Sequence, residues 1–507
     1  MLSPPVTFQD VFPGVSQSSA GQRIIEGMEY LVSVGMECHA ELLTRSKMFC
    51  GCANVFGGDP NTRCCPICLG LPGTLPVFNR QAVEHVIRTA LALNCEISMH
   101  TIFHRKNYFY PDLPKGYQIS QYGNTPIGIN GWLEIETPDG DLKKVRITRV
   151  HLEEDTGKSM HIDGLGYSVM DYNRAGVPLM EIVTAFPPDI ESGEEAAAYA
   201  EALRSVLLYL EVSDGRMEQG SLRAEPNPSV RPEGSETYGV KTELKNLNSF
   251  RAVRNAVEYE VQRHIKTVEE GGTVLQGTYG WNDEKGVTFL QRVKEVEQEY
   301  RYFPEPDLIP IDFTPEYIES LRKTIPELPL PKKRRLMEQY GLPDSDARIL
   351  VTDWRSADWF EVAAKSAKDP KAVANWMLGD LTRLTNAENK LVHESPVSPS
   401  ALVEMIGFIE NGTITGKIGK QLLEDMYRTG KSAAQLVEEQ GLKVTGADEV
   451  AGMVAQVVTD NPDVVAKIKA GNENSKKFLI GQVMKVAKGR ARPDDVQRLL
   501  DEELAKQ

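Results

Sequence analysis

The sequence predicts an α+β fold, with a large, mostly antiparallel-sheet body followed by a helical domain and a small all-helical tail. Residues 29–310 are rich in Val, Ile, Thr, Tyr and Gly, and alternating stretches such as Leu142–Val150 are typical of half-buried strands. From about residue 312 the pattern changes to short amphipathic segments separated by Pro and Gly, which indicates helices.

Helices interrupt the sheet body where the apolar spacing follows a helical period. We expect them at Arg80–Leu93, Gly193–Leu210 and Ser249–Val268, and we expect a linker at Ser395–Ser400 before the tail. The predicted domains are a flexible N-terminal arm at 1–28, the α/β body at 29–312, a helical domain at 313–394 and the helical tail at 395–507.

The composition is that of an ordinary globular protein. The 507 residues are 41% hydrophobic and 25% charged, and we find no run of about eighteen apolar residues that would span a membrane. The net charge of −15 argues against a protein that coats nucleic acid with its whole surface. A local basic stretch, Lys476–Arg492, contains no acidic residue. The N-terminus lacks an export or targeting pattern, so we expect a cytoplasmic protein.

Four cysteines form two close pairs, Cys50 with Cys52 and Cys65 with Cys68, joined by a loop rich in Gly, Asp, Pro and Asn. This spacing is typical of a knuckle in which four thiolates hold a structural zinc ion. Metal-free cysteines and disulfides are the alternatives, although disulfides would be unusual without a secretory signal. Cys64 lies beside Cys65, but the usual Cys-x-x-Cys pair favours Cys65.

A carboxylate–imidazole pair lies on the predicted strand Tyr30–Leu42. Period two places Glu37, His39 and Glu41 on one face of this strand. A solvated face is one interpretation. The other is a functional site, because the strand carries little charge before Glu37 and therefore has the pattern of a strand buried on both sides.

Acidic residues in two further segments are candidates for hard-cation ligands. Three consecutive acids in His151–Ser159 end a strand, and Mg²⁺ prefers oxygen ligands and keeps water molecules for a phosphate. A surface acidic turn is the alternative. Glu181 lies in an apolar run, where a carboxylate requires a partner or a metal. Glu218–Glu225 and Lys241–Ser249 have charges at strand spacing, which indicates either solvated faces or further site residues.

The segment Arg105–Gln121 combines aromatic rings, lysines, an arginine and amides, and we expect one irregular loop. Such a loop could hold an adenine ring and its phosphates. Gly412–Ile418 is not a Walker A motif, because its loop is too short and Ile stands where Ser or Thr would hold magnesium. These residues by themselves predict a metal- and phosphate-using enzyme with a structural zinc ion.

Together these segments resemble the B subunits of tRNA-dependent amidotransferases, the GatB family, in order from residue 29 to residue 505. The related E subunits carry an inserted domain for which this chain is too short, so the resemblance favours the B subunits. The matching stretches are Gly35–Leu42, Phe49–Leu75, Arg105–Tyr122, His151–His161, Asp171–Thr184, Glu218–Arg223, Glu243–Arg251, Tyr300–Pro310, Asn411–Lys420 and Phe478–Arg492.

The resemblance implies an ATP-dependent carbon–nitrogen ligase with glutamine as the amide-nitrogen donor. Such an enzyme phosphorylates the side-chain carboxylate of misacylated Glu-tRNA(Gln) or Asp-tRNA(Asn), and ammonia then displaces the phosphate. The ammonia arrives through a tunnel from an amidase (A) subunit, and a small C subunit joins the two. The implied cofactors are ATP, Mg²⁺ and zinc. We expect neither DNA nor a membrane as a partner.

The resemblance also assigns catalytic and metal-binding roles to residues of this sequence. Lys106, Tyr108 and Lys115 would line the mouth where ammonia arrives, and a neutral Lys or a carboxylate there could take a proton from ammonium. The family usually has Asp at position 225, so direct ligation by the longer Glu225 is in doubt. The implied magnesium ligands are Glu37, His39, Glu154 (favoured over Glu153 and Asp155), Glu181 and Glu225.

Other residues would bind the cofactor or the substrate. The tail would hold tRNA phosphates through Lys485, Lys488 and Arg490. A non-catalytic tRNA-binding scaffold and a standalone ligase that uses free ammonia are the alternative functions. The scaffold would not need the clustered acids, and the standalone ligase would not need the basic tail. The implied cofactor or substrate contacts are Arg105, Tyr108, Arg174, Ser221, Arg223 and Lys245.

Overall fold

The structure, a computed structural model, describes residues 16–17, 22–25, 28–123, 125–162, 164, 166–293, 300–469 and 474–506. The chain forms two compact units, one ending at Leu330 and the other beginning at Pro331. The first combines sheets with helices and the described part of the second is helical, which confirms the predicted mixed class and the helical C-terminal region. The finer domain boundaries at 28, 312 and 394 stay predictions.

The strands are numbered here in chain order. They are β1 (Ser16–Gln17), β2 (Gln22–Ile25), β3 (Met28–Glu41), β4 (Glu96–Ile97), β5 (His100–Thr101), β6 (His104–Asn107), β7 (Tyr117–Ser120), β8 (Gly128–Glu136), β9 (Leu142–Glu154), β10 (Lys158–His161), β11 (Ser168–Asp171), β12 (Pro178–Thr184), β13 (Leu222–Pro232), β14 (Glu243–Lys245), β15 (Gly277–Asn282), β16 (Val287–Val293), β17 (Phe303–Pro304) and β18 (Ile311–Asp312).

The helices are numbered in the same way. In the first unit they are α1 (Arg80–Ala92), α2 (Gly193–Tyr209), α3 (Phe250–Glu269) and α4 (Pro315–Arg322), and α5 (Pro329–Tyr340) begins at the end of that unit and lies mostly in the second. In the second unit they are α6 (Asp344–Leu350), α7 (Trp354–Ser366), α8 (Pro370–Trp376), α9 (Thr382–Ala387), α10 (Pro399–Glu410), α11 (Gly416–Thr429), α12 (Ala433–Glu439), α13 (Ala447–Asp460), α14 (Pro462–Lys469), α15 (Asn474–Val486) and α16 (Pro493–Lys506).

The central sheet has the order β1-β2-β3-β12-β9-β8-β4, and β13 also pairs with β3. Its neighbouring strands are antiparallel. Along β3 the even-numbered residues from Tyr30 to Ala40 are buried, whereas the odd-numbered ones are half-buried. The sheet therefore has a buried face, which shares one core with α1, α2 and α3. We call the face that carries the odd-numbered residues of β3 the open face.

Local capping explains why the three helices of the body begin where the sequence predicts. The side chains of Asn79, Ser192 and Ser249 accept hydrogen bonds from backbone N–H groups in the first turns of α1, α2 and α3. Such caps satisfy donors that have no partner inside the helix. These three predicted helices are confirmed.

Two sequence predictions are corrected. Arg105–Gln121 is not one irregular loop but contains the antiparallel pair β6–β7, in which Lys106 lies opposite Gln118. The predicted linker is shorter than expected, because Ser398 caps α10 and Pro399 is its first residue. Of the predicted flexible arm, the described residues are those of the strands β1 and β2 and Met28, the first residue of β3, and the rest of 1–28 lies outside the described residues.

The second unit contains a separate small core near the end of the chain. Apolar residues of α13, α14, α15 and α16 form it, including Val454, Val465, Leu479 and Leu500. Among the described residues, no helix is long and apolar enough to cross a membrane.

Candidate active site and metal centres

Three strands bring a histidine and two carboxylates together on the open face. Glu181 of β12 lies opposite His39 of β3 on one side and opposite His151 of β9 on the other. The Nε2 atom of His39 lies 3.6 Å from Glu181 Oε2 and 3.9 Å from Glu153 Oε1. Ligand atoms of His39, Glu153 and Glu181 all lie within 4.8 Å of one another. We call these three residues the histidine–carboxylate cluster.

The structure corrects the predicted metal ligand Glu154. Successive side chains of a strand point to opposite faces, so Glu153 reaches the cluster and Glu154 does not. Glu154 instead accepts a hydrogen bond from the backbone N–H of Ile119 at 2.9 Å and forms an ion pair with Lys115, whose Nζ lies 2.6 Å away. Glu153 is therefore the residue of the acidic segment that can bind a metal with His39 and Glu181.

His151 is a site residue to which sequence reasoning gave no role. It is 4% exposed, and its Nε2 lies 3.1 Å from Glu181 Oε2. Although burial opposes ionisation of Glu181, the charge of His151 and hydrogen bonds from both histidines lower the pKa of Glu181. Burial also opposes protonation of His39, but the neighbouring carboxylates, Glu181 first, raise the pKa of His39 to about 9. The period-two alternation with Glu153 was the signal that could have identified His151.

A second group of carboxylates adjoins the first. Glu225 of β13 lies opposite Glu37 of β3, and ligand atoms of Glu37, Glu225 and Glu243 lie within 4.8 Å of one another. Lys245 Nζ lies 2.8 Å from Glu225 Oε2 and 3.2 Å from Glu243 Oε1. Burial, followed by the charges of Glu181, Glu243 and Glu225, raises the pKa of Glu37. Glu243 was not among the predicted ligands, because only the tertiary fold brings it here.

Lys106 lies in β6, and its positive charge interacts with Glu153 and Glu181 of the histidine–carboxylate cluster. Burial opposes its charge, but Glu153 first and then Tyr302 and Glu181 raise the pKa of Lys106 above its ordinary value. Its Nζ also lies 4.9 Å from the ring centroid of Tyr300. The neighbouring carboxylates thus favour the charged form of Lys106, so a carboxylate is the better candidate of the two predicted groups for taking a proton from ammonium.

The structure does not bring all of the predicted contact residues to the cluster. Arg105 forms hydrogen bonds of 2.7 and 2.8 Å with the carboxylate of Glu305, and Tyr108 packs edge-on against Tyr300. Arg174 donates to the carbonyl oxygens of Thr156 and Gly157, and Ser221 Oγ donates to Asp214. These hydrogen bonds hold loops in place.

Arg223 and Lys245 lie where a phosphate-bearing ligand could reach them. Arg223 of β13 lies opposite His39 and contacts Asp155 and, at 3.3 Å, Glu41. Arg223, Glu225 and Lys245 line one cleft beside the two carboxylate groups.

The four predicted zinc ligands converge. Ligand atoms of Cys50, Cys52, Cys65 and Cys68 lie within 4.8 Å of one another, and Cys64 is not part of this group. A hydrogen bond from Cys50 is the main cause that lowers the pKa of Cys68 to about 4. Four sulfur ligands at this spacing fit a tetrahedral zinc ion.

The predicted tRNA contacts lie in and after α15. Lys485 and Lys488 are exposed, whereas Arg490 is half-buried and donates to the backbone carbonyl of Gly441 at 3.2 Å. At the other end of the basic stretch, Lys476 forms an ion pair with Asp501 at 2.9 Å. Lys485 and Lys488 are therefore exposed charges of this stretch, as are Lys477 and Arg492, and Arg492 donates to the carbonyl oxygen of Gly412 at 3.0 Å.

The histidine–carboxylate cluster and the four cysteines are groups in the sheet body that could each hold a metal ion, as expected of a metal-using enzyme. Residues 32–319 match the family model of the GatB/GatE catalytic domain, and residues 358–504 match that of the GatB domain. The chain belongs to the GatB family.

Several curated relatives are similar to this chain over nearly its whole length. The B subunit of the aspartyl/glutamyl-tRNA(Asn/Gln) amidotransferase of Thermoanaerobacter sp. (strain X514) is 52% identical over 480 residues, which cover 94% of this chain and 100% of the relative. The proteins of the same name from Moorella thermoacetica and Carboxydothermus hydrogenoformans are 50% and 49% identical, and 94% of this chain is covered in both comparisons. These alignments cover 100% and 99% of the two relatives.

Proposed function

We propose that this chain is the carboxylate-activating subunit of a heterotrimeric, glutamine-dependent amidotransferase. It activates the side-chain carboxylate of misacylated Glu-tRNA(Gln), Asp-tRNA(Asn) or both with ATP, and ammonia then gives Gln-tRNA(Gln) or Asn-tRNA(Asn). The observation that carries this proposal is the histidine–carboxylate cluster, which lies inside the region that matches the GatB/GatE catalytic domain. The names of the relatives, which specify both tRNAs, support both substrates.

The chemistry requires a site of this kind. A carboxylate resists attack by ammonia because its oxygen is a poor leaving group, whereas an acyl phosphate releases phosphate readily. Phosphoryl transfer to the carboxylate needs positioning and neutralisation of negative charge. Mg²⁺ held by His39, Glu153 and Glu181, with Glu37 close by, would supply that neutralisation.

The protonated Lys106 supports the same step from the chain itself. Its charge faces Glu153, where it can stabilise the phosphates and the oxygen on which negative charge develops. Because the surroundings favour the charged form of Lys106, we propose that a carboxylate beside the cluster, rather than Lys106, takes the proton from the attacking nitrogen.

The remaining assignments follow the same proposal. The β6–β7 pair, with Lys106, Tyr108 and Lys115, is the proposed mouth for ammonia from an amidase subunit, and a small third subunit completes the complex. Arg223 and Lys245 are proposed contacts for phosphate or substrate, and the four cysteines would hold a structural zinc ion. The proposed location is the cytoplasm.

The test is co-expression with the amidase and small subunits, followed by ATP- and glutamine-dependent conversion of both misacylated tRNAs. We expect Glu153→Gln to lower conversion at least about 100-fold, because it removes a metal ligand, and to spare tRNA-independent glutaminase activity. Glu154→Gln is the matched control in the adjacent position, and we expect a smaller loss. Full conversion by both Glu153→Gln and Glu181→Gln would instead favour a non-catalytic tRNA-binding scaffold.

A further inference from the structure

An aromatic pair away from the carboxylates lies in the loops that follow β12 and β13, with Phe186 exposed and Tyr238 half-buried. The ring centroids of Phe186 and Tyr238 are 4.9 Å apart, and the guanidinium of Arg231 lies 4.4 Å from the centroid of the Tyr238 ring. Phe186 is 72% exposed although its ring packs against that of Tyr238. We call Phe186, Tyr238 and Arg231 the aromatic cluster.

The loop that carries Phe186 is held firmly. Arg146 donates to both carboxylate oxygens of Asp189, at 2.8 and 3.0 Å, and to the carbonyl oxygen of Pro187 at 2.8 Å. The chain then returns to the sheet, where the N–H of Val34 donates to the carbonyl oxygen of Ile190 at 2.8 Å. Phe186 is thus presented to solvent on a braced turn.

The aromatic cluster and the carboxylates share the open face. Glu225 lies opposite Glu37, and Arg231, six residues further along β13, lies opposite Leu31. Residues an even number apart on a strand lie on one face, and a strand rises about 3.3 Å per residue, so Arg231 is about 20 Å from Glu225. Ile190 lies opposite Val34, three residues or about 10 Å from Glu37, which places the loop of Phe186 between these limits.

Small polar residues form the floor between the two groups. On the open face, β3 contributes Ser33 and Gly35 and β13 contributes Asn227 and Ser229. A Cβ atom added at Gly35 would meet only the Cβ of Asn227, at 3.7 Å. The floor is therefore made of small side chains, with space for at least a Cβ atom at Gly35 and with Ser229 buried.

We propose that the aromatic cluster binds a nucleobase whose phosphate-bearing chain leads along this floor to the carboxylates. Exposed aromatic faces stack on bases of any sequence, and Arg231, which donates to the carbonyl oxygen of Ser235 at 3.0 Å, supports the Tyr238 ring beside Phe186. The base could belong to ATP or to the unpaired 3′ end of the aminoacylated tRNA, because in either ligand a ribose and a short chain join a nucleobase to the reacting group. This inference rests on the proposed function and adds a subsite to it.

The test uses the complete complex and measures two equilibria, binding of Mg-ATP and binding of tRNA with and without its unpaired 3′-terminal nucleotides. We expect Phe186→Ala to weaken one of them about 10- to 100-fold and Phe186→Tyr to restore it, because a tyrosine ring still stacks. Phe56→Ala, at a phenylalanine that is 68% exposed elsewhere, is the control and should change neither. Gly35→Val, which raises the floor at a position with space for a Cβ atom, should weaken the same ligand.

Each outcome has a defined meaning. If Phe186→Ala weakens binding of Mg-ATP, the base belongs to ATP. If Phe186→Ala lowers the affinity for intact tRNA to that for tRNA without its 3′-terminal nucleotides, the base belongs to the acceptor end. Unchanged binding of both ligands by folded Phe186→Ala overturns the proposal, as does equal weakening by Phe56→Ala or a failure of Phe186→Tyr to restore binding. The proposed function fails separately, through the conversion assay of Glu153→Gln.

Discussion

Single positions decide the chemistry of this site. Glu153 and Glu154 are adjacent in the chain, yet Glu153 lies 3.9 Å from His39 while Glu154 is neutralised by Lys115 on the other side of the strand. A shift of one residue in a strand exchanges the two faces, so the phase of β9 separates a candidate metal ligand from a structural ion pair. The same alternation places Arg231 on the face of β13 that carries Glu225.

The cysteine pair Cys64 and Cys65 offers a matched test at the same scale. We expect Cys65→Ser to lose bound zinc and Cys64→Ser to keep it, because the sulfur of Cys65 lies in the four-cysteine group and that of Cys64 does not. The measurement is zinc content per chain, by elemental mass spectrometry of the purified complex.

Because a structural zinc site contributes to folding, Cys65→Ser should also lower the melting temperature relative to Cys64→Ser. Equal zinc content in the two variants would contradict the assignment of the ligands. Absence of zinc from the wild-type protein would favour the metal-free alternative.

At the scale of elements, Gly70 of the cysteine knuckle packs closely against Lys115, which lies between β6 and β7. Gly70 has a φ of +65°, and a Cβ atom added there would lie 2.4 Å from Cγ and 3.2 Å from Cα of Lys115. Lys115 in turn pairs with Glu154, next to Glu153. The knuckle can therefore set the position of Lys115 without contacting the histidine–carboxylate cluster.

We expect Gly70→Ala to displace Lys115 from Glu154, and so to lower both the melting temperature and the rate of tRNA conversion. Gly73→Ala is the matched control, since Gly73 also has a positive φ of +85° but no atom lies within 4 Å of its added Cβ. Both variants carry the backbone strain of Ala at positive φ, and only Gly70→Ala adds the clash with Lys115. Equal effects of the two substitutions would show that this clash does not matter.

Elements differ in how far the sequence predicts them. Helices α1, α2 and α3 begin at capping side chains such as Asn79 and Ser249, which are local signals that one sequence contains. The β6–β7 pair was missed, because the pairing of Lys106 with Gln118 is a contact that composition does not reveal. Glu37 and Glu181 were predicted as site residues from the pattern of their own strands. Glu243 was not, because its proximity to Glu225 is again a contact between distant parts of the chain.

At the scale of the whole molecule, charge is distributed unevenly. The chain has a net charge of −15, yet residues 476–492 contain no acid. Within that stretch Lys476 is paired with Asp501 and Arg490 is tied to Gly441, whereas Lys485 and Lys488 are exposed. An acidic protein that must hold a polyanion benefits from such a local patch, because phosphate contacts give affinity without reading bases.

We therefore expect Lys485→Glu combined with Lys488→Glu to weaken tRNA binding by the complete complex, and addition of Arg490→Glu to weaken it further. The slope of log affinity against log salt concentration should become shallower by up to about 0.9 for each phosphate that the protein no longer neutralises. Lys390→Glu combined with Lys431→Glu is the control, because it makes the same change in net charge at lysines already paired with Glu388 and Glu439. tRNA-independent glutaminase activity should be unchanged in all of these variants, since the patch would contact only tRNA.

If the control weakens tRNA binding as much as the Lys485 and Lys488 pair does, general repulsion accounts for the effect and the patch does not bind tRNA. If neither pair changes tRNA affinity, α15 is a solvated helix and the tRNA is held elsewhere.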